Sequence, residues 1–406
     1  MSISPIDLGR KLAEARSSAG FTQDQVAESL AVPRTAIVQM EAGRRAVSTL
    51  ELAEMAKLYH RHVADFFDES QPAEEDPLVA LGRISDDLRD DPTTAASIAR
   101  CVQLFREGAL LESELGRTKV AQPPNYATPA AAQAAAAAQG IDAAARERNR
   151  LGLGDAPIAD MCRLVSEQGI WATSAVLTDG VSGLFLNHSS IGLAIVVNRD
   201  HPLPRKRFSF AHEYAHSLFD RDRVAAVTAR ANASDVVERR ANAFAAAFLM
   251  PKGGVESMLR GMQKGGPSRR SFVSYDVANE GRQDSEERAP PGTQGLTFRE
   301  VAGVASHFGA SYDAACYRLR ELGYVNEREL AELLEQQVVG REYVELLGGG
   351  QERDAKTEDR DKELVAQLIP LVLEAYAREL VSRGKVRELA GMIGLAESDV
   401  LKFANE

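Results

Sequence analysis

Residues 212–216 read His-Glu-Tyr-Ala-His, and 22 positions past His216 the chain reads Glu-Arg-Arg-Ala-Asn, residues 238–242. No other feature limits the fold as sharply. On a helix, His212 and His216 are four apart and leave the same face, so both imidazoles can grip one metal ion. Glu213 is turned about 100° from His212, given 3.6 residues per turn. It is badly placed to share the ion but can reach a water bound to it. Zinc lowers the pKa of bound water, and Glu213 can then take its proton as general base. A catalytic zinc ion needs a third protein ligand and an open fourth position; Glu238 is the candidate third ligand. Asn242, one turn later, shares the face of Glu238 and can hydrogen-bond a ligand histidine from behind. The bland alternative is a surface helix with two solvated histidines. The flanking Phe208, Phe210, Leu218 and Phe219 favour a buried helix instead, and buried imidazoles and carboxylates need partners. Ala241 and Ala245 keep the Glu238 side of the second helix small, which lets two helices approach closely enough to share an ion.

A chain of 406 residues is long enough for two to four domains. Its formal net charge of −11 excludes a generally basic nucleic-acid binder, so any DNA contact must come from a local surface. The three cysteines, Cys101, Cys162 and Cys316, are scattered and form no Cys-x-x-Cys unit, which fits a reducing compartment and excludes a cysteine-rich metal site. The first residues lack the apolar core of a signal peptide, and no apolar run approaches a membrane span. The expectation is a cytoplasmic protein without membrane contact.

Residues 6–68 read as a compact five-helix unit. Leu8, Leu12 and Ala15 have helical spacing. Gly20 ends that helix, and Thr22 is a good N-cap for the next. Ala31-Val32 makes a short turn, Pro33 suits a first helical turn, and Gly43 is a natural stop. Ser48 caps a fourth helix. Two short helices joined by a tight turn give helix-turn-helix geometry, with Val26, Ala27, Leu30, Ile37 and Met40 inside and Arg34, Thr35, Val38 and Gln39 outside. These residues resemble the lambda-repressor-like (XRE) family. The resemblance implies a double-stranded DNA operator as partner, phosphate contacts from Gln23 and Arg44, and base contacts from Arg34, Thr35 and Gln39. Residues 1–70 carry 8 Lys/Arg against 10 Asp/Glu, so such a reader would need dimerisation or a second contact for useful affinity.

Beyond residue 70, an acidic proline-containing stretch opens a helical linker region, 71–128, which ends in the structure-breaking TKVAQPPNYATP. An alanine-rich scaffold helix follows, and Gly140 is a point where it can break in two. From 170, three apolar runs (170–177, 182–188, 191–198) separated by turns predict a small, largely antiparallel three-stranded sheet. His188 reads as a surface-turn residue. Residues 261–295 are poor in apolar residues and predict a flexible insertion. Residues 296–345 read as a helix-turn-helix-like region, and 346–406 as a C-terminal helical domain broken near Ser382 and Gly394.

The stretches LGLGDAPIADM, DGVSGLFL, RxRFSFAHEYAH and ERRANAFAAAFLMP closely resemble the ImmA/IrrE metallo-endopeptidases. The resemblance implies a peptidase domain over 129–260, with Zn2+ held by His212, His216 and Glu238 and Glu213 as base. It departs from the family's pattern at Ala215, where glycine is common. The expected architecture is therefore multidomain and mainly α: a five-helix helix-turn-helix domain, an α+β zincin-like domain with a small antiparallel sheet, and a helical C-terminal region. The resemblance further implies that a helix-turn-helix repressor is the protein substrate. The competing reading is a non-catalytic XRE-family repressor or antitoxin that grips a cognate toxin and holds a structural zinc; under either reading the expected assembly is a homodimer. Glu213 discriminates, because a structural site needs no base.

Overall fold

The computed structural model describes residues 4–19, 21–59, 63–67, 77–84, 91–117, 122–126, 133–229, 235–265, 269–276, 281–288, 294–348 and 362–403. The acidic stretch that opens the linker region, up to residue 76, and residues 349–361 near the start of the C-terminal region lie outside these residues.

At the N-terminal end, helices begin where the sequence supplies caps. α1 (Pro5–Ser18) starts at Ser4, α2 (Gln23–Ser29) at a Thr22–Gln25 capping box, α3 (Arg34–Glu41) after Pro33, and α4 (Thr49–Leu58) at a Ser48–Glu51 capping box. Where the fifth helix is expected, the described residues form a 3-10 turn, Val63–Phe66. Leu12, Val26, Ile37, Met40, Met55 and Tyr59 form the core. α1 crosses the end of α3 at Gly9, where a Cβ would stand 2.5 Å from the carbonyl oxygens of Met40 and Glu41.

α5 (Pro77–Ile84) and α6 (Pro92–Glu114) follow. α6 begins at Pro92, where Asp91 caps it and the proline takes the first turn. α7 (Gln133–Arg150) runs unbroken through Gly140. A Cβ there would collide with the Arg240 carbonyl, so this glycine serves close helix packing and not a break.

After α8 (Met161–Ser166) come β1 (Trp171–Ala175), β2 (Val181–His188), β3 (Gly192–Asn198), α9 (Leu203–Phe219), β4 (Ala225–Ala229) and α10 (Val236–Leu249). The sheet order is β1-β3-β2-β4. The expected small, largely antiparallel sheet is present, with two of its three pairings antiparallel, and it differs from the expectation in two details. β1 pairs with β3 in parallel, and a fourth strand comes from an alanine-rich stretch that low strand propensity concealed. β3 carries a run buried on both faces, the pattern of a central strand, and separates β1 from β2.

Alternation along the strands sends Phe185, Leu193, Ile195 and Val197 to one core with α7, α8, α9 and α10. Leu184, Leu186, Ala194 and Val196 face the other way. That second face is covered by α5 and α6 together with α16 (Lys362–Ala377), α17 (Arg383–Met392) and α18 (Glu397–Leu401). The stretches read as a linker region and as a separate C-terminal domain thus form one layer on the sheet. Gln367 of α16 closes the edge of β1 by pairing its side-chain amide with the Ala172 N–H (3.1 Å) and C=O (2.6 Å).

α11 (Lys252–Gly261) leads to α12 (Phe298–Phe308), α13 (Tyr312–Glu321), α14 (Glu327–Glu335) and α15 (Gln337–Leu346), which share their own core. Between them, where composition predicts a flexible insertion, the backbone of β5 (Arg269–Asp276) pairs antiparallel with β6 (Gly281–Arg288). The architecture is multidomain and mainly α with one small four-stranded mixed sheet. No helix among the described residues is long and apolar enough to cross a membrane.

Candidate metal centre

α9 is buried along its whole second half, from Ser209 to Phe219. The sheet lies on one side of it and α10 on another, so every polar side chain in that half must find a partner inside the protein. Tyr214 donates its hydroxyl proton to Glu147, a fully buried carboxylate of α7 that also pairs with Arg150 at 2.6 Å. This contact fixes the rotation of α9 on the side away from the histidines.

His212 and His216 leave α9 together, as their spacing requires. Their Nε2 atoms are 3.2 Å apart. Glu238, in the first turn of α10, places Oε2 at 3.1 Å from His212 Nε2 and Oε1 at 3.5 Å from His216 Nε2. One ligand atom from each residue lies within 4.8 Å of the others, and all three residues are buried. The opposite ring nitrogens are already engaged. His212 Nδ1 is 2.9 Å from Asn242 Oδ1, and His216 Nδ1 is 2.8 Å from Asp220 Oδ2. With both Nδ1–H groups donating, both Nε2 lone pairs face a carboxylate. Such a set of converging acceptors is unfavourable without a cation among them. Two imidazoles and one carboxylate suit zinc and its neighbouring divalent transition metals.

Glu213 is fully buried beside this cluster, and neither carboxylate oxygen makes a hydrogen bond of good geometry among the described residues. Burial raises its pKa above the ordinary carboxylate range; His216, His212 and the Thr228 hydroxyl oppose the rise without cancelling it. Burial by itself would lower the His216 pKa, but the Asp220 hydrogen bond and the carboxylates of Glu213 and Glu238 outweigh it, and the pKa is raised. A buried carboxyl with a raised pKa and no fixed partner is suited to exchange a proton with a bound molecule.

Three neighbours of the cluster escape sequence reasoning. Asp220 lies four residues past His216, a spacing that was open to inspection but carries no signal alone. Arg240 lies two past Glu238 and donates to Asp220 Oδ1 at 2.7 Å. Gly183 on β2 is the least legible: a Cβ there would stand 2.7 Å from Glu213 Oε1. His188 is not in a surface turn. It is buried at the end of β2, with Nδ1 2.8 Å from Ser190 Oγ.

Far along the chain, Arg34, Thr35, Gln39 and Arg44 are exposed on or just after α3, with Val38 between them. Arg34 lies 3.5 Å from Asp24 in a widely exposed pair. Gln23 differs: it is half-buried and donates to Glu41 Oε2 at 2.8 Å. Glu41 in turn holds Arg16 at 2.6 Å, so Gln23 belongs to a network that ties α1, α2 and α3 together.

Compared with models of protein families, residues 165–320 match the IrrE N-terminal-like domain of the peptidase family M78, and residues 7–66 match a helix-turn-helix domain. The first match begins in α8, takes in α9 and α10, and ends in α13, so it spans the β5–β6 pair. No curated protein matches the chain. The chain thus joins a helix-turn-helix domain, a fold suited to DNA binding, to a metallopeptidase-like domain.

Proposed function

We propose that this protein is a DNA-binding transcriptional regulator joined to a zinc-dependent endopeptidase that cleaves a helix-turn-helix repressor. The observation that carries the peptidase reading is Glu213: a fully buried carboxyl beside a His-His-Glu cluster, with no hydrogen bond of good geometry among the described residues. A merely structural metal site has no use for it. His212, His216 and Glu238 would hold the zinc ion, which when bound supplies Lewis acidity and a water of lowered pKa. Asn242 and Asp220 orient the two imidazoles. Glu213 accepts the water's proton on its carboxylate and returns it to the leaving amine nitrogen. Gly183 leaves that carboxylate room, and the sheet and helices keep bulk water away from it. The exposed face of α3 reads the operator through Arg34, Thr35 and Gln39, with Gln23 and Arg44 on phosphates, and a homodimer compensates for the weak charge of this region.

The test is to profile new protein N-termini in the native host, comparing wild type with Glu213→Gln under DNA damage and without it. Cleavage products that require Glu213 would identify the substrate. Their absence under every stress, with DNA binding and metal content intact, would replace this reading with the repressor or antitoxin one.

A further inference from the structure

We infer that Arg240 is a positioning residue for His216, acting through Asp220; the inference rests on the reading of His212, His216 and Glu238 as metal ligands. The two carboxylate oxygens of Asp220 are divided between two donors. Oδ2 accepts from His216 Nδ1 at 2.8 Å and Oδ1 from Arg240 at 2.7 Å. The Asp220 backbone is fixed as well, its N–H donating to the His216 carbonyl at 2.8 Å where α9 ends. A fixed backbone does not fix the side chain, however. Asp220 borders a cleft of about 390 Å³ lined also by Asn125, Tyr126, Arg221 and Arg223. A carboxylate free to turn toward that cleft would find water and release the histidine. Arg240 prevents this by holding the second oxygen.

Arg240 is itself held. Its guanidinium lies 4.6 Å from the centre of the Phe219 ring, and its backbone carbonyl is where α7 packs at Gly140. Of the three arginines lining the cleft, Arg240 alone pairs with Asp220 among the described residues. Arg221 is spent on the carbonyls of Ser217, Pro123 and Pro124. The two histidines are therefore supported unequally. His212 leans on a neutral amide, His216 on a buried carboxylate–guanidinium pair. One helix, α10, supplies both a ligand, Glu238, and the group that aims another ligand, two residues later.

The experiment is competition between the full chain and a chromophoric chelator for Zn2+, backed by the absorption spectrum of the Co2+ form. Arg240→Gln should weaken metal binding about tenfold, the low end of what partners of metal ligands contribute, and shift the Co2+ bands. Asp220→Asn should lose as much or more, and adding Arg240→Gln to it should cost little further. Arg148→Gln is the control. Arg148 is an equally buried guanidinium bonded to the carbonyls of Gly154, Ala156 and Phe248, so its loss should lower the melting temperature and leave the zinc affinity alone. If Arg240→Gln does not fold, Arg240→Lys keeps the charge without the planar fork, and the same comparison is read on it. Wild-type affinity in the Arg240 variant, or losses from Asp220 and Arg240 that simply multiply, would overturn the inference. Failure of the wild type to bind metal would instead overturn the metal-centre reading and this inference with it.

Discussion

α9 and α3 each carry the residues on which a proposed activity depends, and they present them in opposite ways. On α9 the critical side chains are buried, and the two histidines are held at both ring nitrogens. On α3 Arg34, Thr35 and Gln39 stand in solvent, and only Arg34 has an ion-pair partner, itself exposed. The difference follows from the task. Bond chemistry needs reacting groups fixed before the substrate arrives, because small misplacements are costly. Reading a surface allows side chains to order on contact, at an entropic cost per side chain. What α3 does require is a fixed backbone, and the Arg16–Glu41–Gln23 network beneath it provides that.

The comparison breaks most visibly at Glu213. Glu213→Gln should lower peptide hydrolysis by roughly 10²–10⁴-fold, the usual worth of a general base, while zinc binding persists in a chelator assay. The same variant has a stability signature in metal-free protein. A carboxyl whose folded pKa is raised contributes stability below its unfolded value and loses it as pH rises through the folded value. Melting temperatures of metal-stripped wild type should therefore fall as pH rises above the ordinary glutamate range, and Glu213→Gln should flatten that fall. A wild-type profile without the slope would mean the carboxyl is not desolvated in solution.

Gly183→Ala sharpens the same point from across the sheet. It adds one methyl group against Glu213 Oε1 and touches no ligand. Hydrolysis should drop on the order of 10²-fold through misplacement, with zinc affinity kept; equal losses in both assays would show that the cluster and the base are one packing unit. On the exposed side, Arg34→Ala or Gln39→Ala should each cost about 1–3 kcal/mol of operator binding and relax one base position, whereas Arg44→Ala should weaken all sequences alike and reduce the salt slope by about one. Fluorescence anisotropy at several salt concentrations separates the two classes. The smallest effect is expected at Ala31, which sits at φ 52° in the turn before α3. Ala31→Gly relieves a left-handed alanine and should stabilise the N-terminal unit by at most about 1 kcal/mol in thermal melts, with α3 contacts unchanged.

What was legible in the sequence is what local spacing encodes. His212, Glu213 and His216 share a helix, and Glu238 and Asn242 share another, so each set could be read as a face. The helix caps at Thr22 and Ser48 were legible for the same reason. What was not legible depends on residues far apart meeting. Gly183 matters only because β2 passes behind Glu213. Gly140 reads as a helix breaker until α10 is packed against it. The place of β3 between β1 and β2, and the joining of α5 and α6 with the C-terminal helices into one layer, are decisions of tertiary burial that no window of sequence contains.

Gln367 meets Ala172 across 195 positions, and that distance has a meaning in time. A chain is made from its N-terminus, so when α9 and α10 first emerge, Trp171, Leu184 and Val196 on the outer face of the sheet have, among the described helices of that layer, α5 and α6 to lie against. The rest of their cover arrives with residues 362–401, after the intervening α11–α15 have been made. Closing so long a loop is slow and entropically costly. The helix-turn-helix unit, built wholly from near neighbours, can mature while the peptidase-like half is still open along one side. On a ribosome the protein would complete its helix-turn-helix surface well before it acquired a finished sheet behind its His-His-Glu cluster.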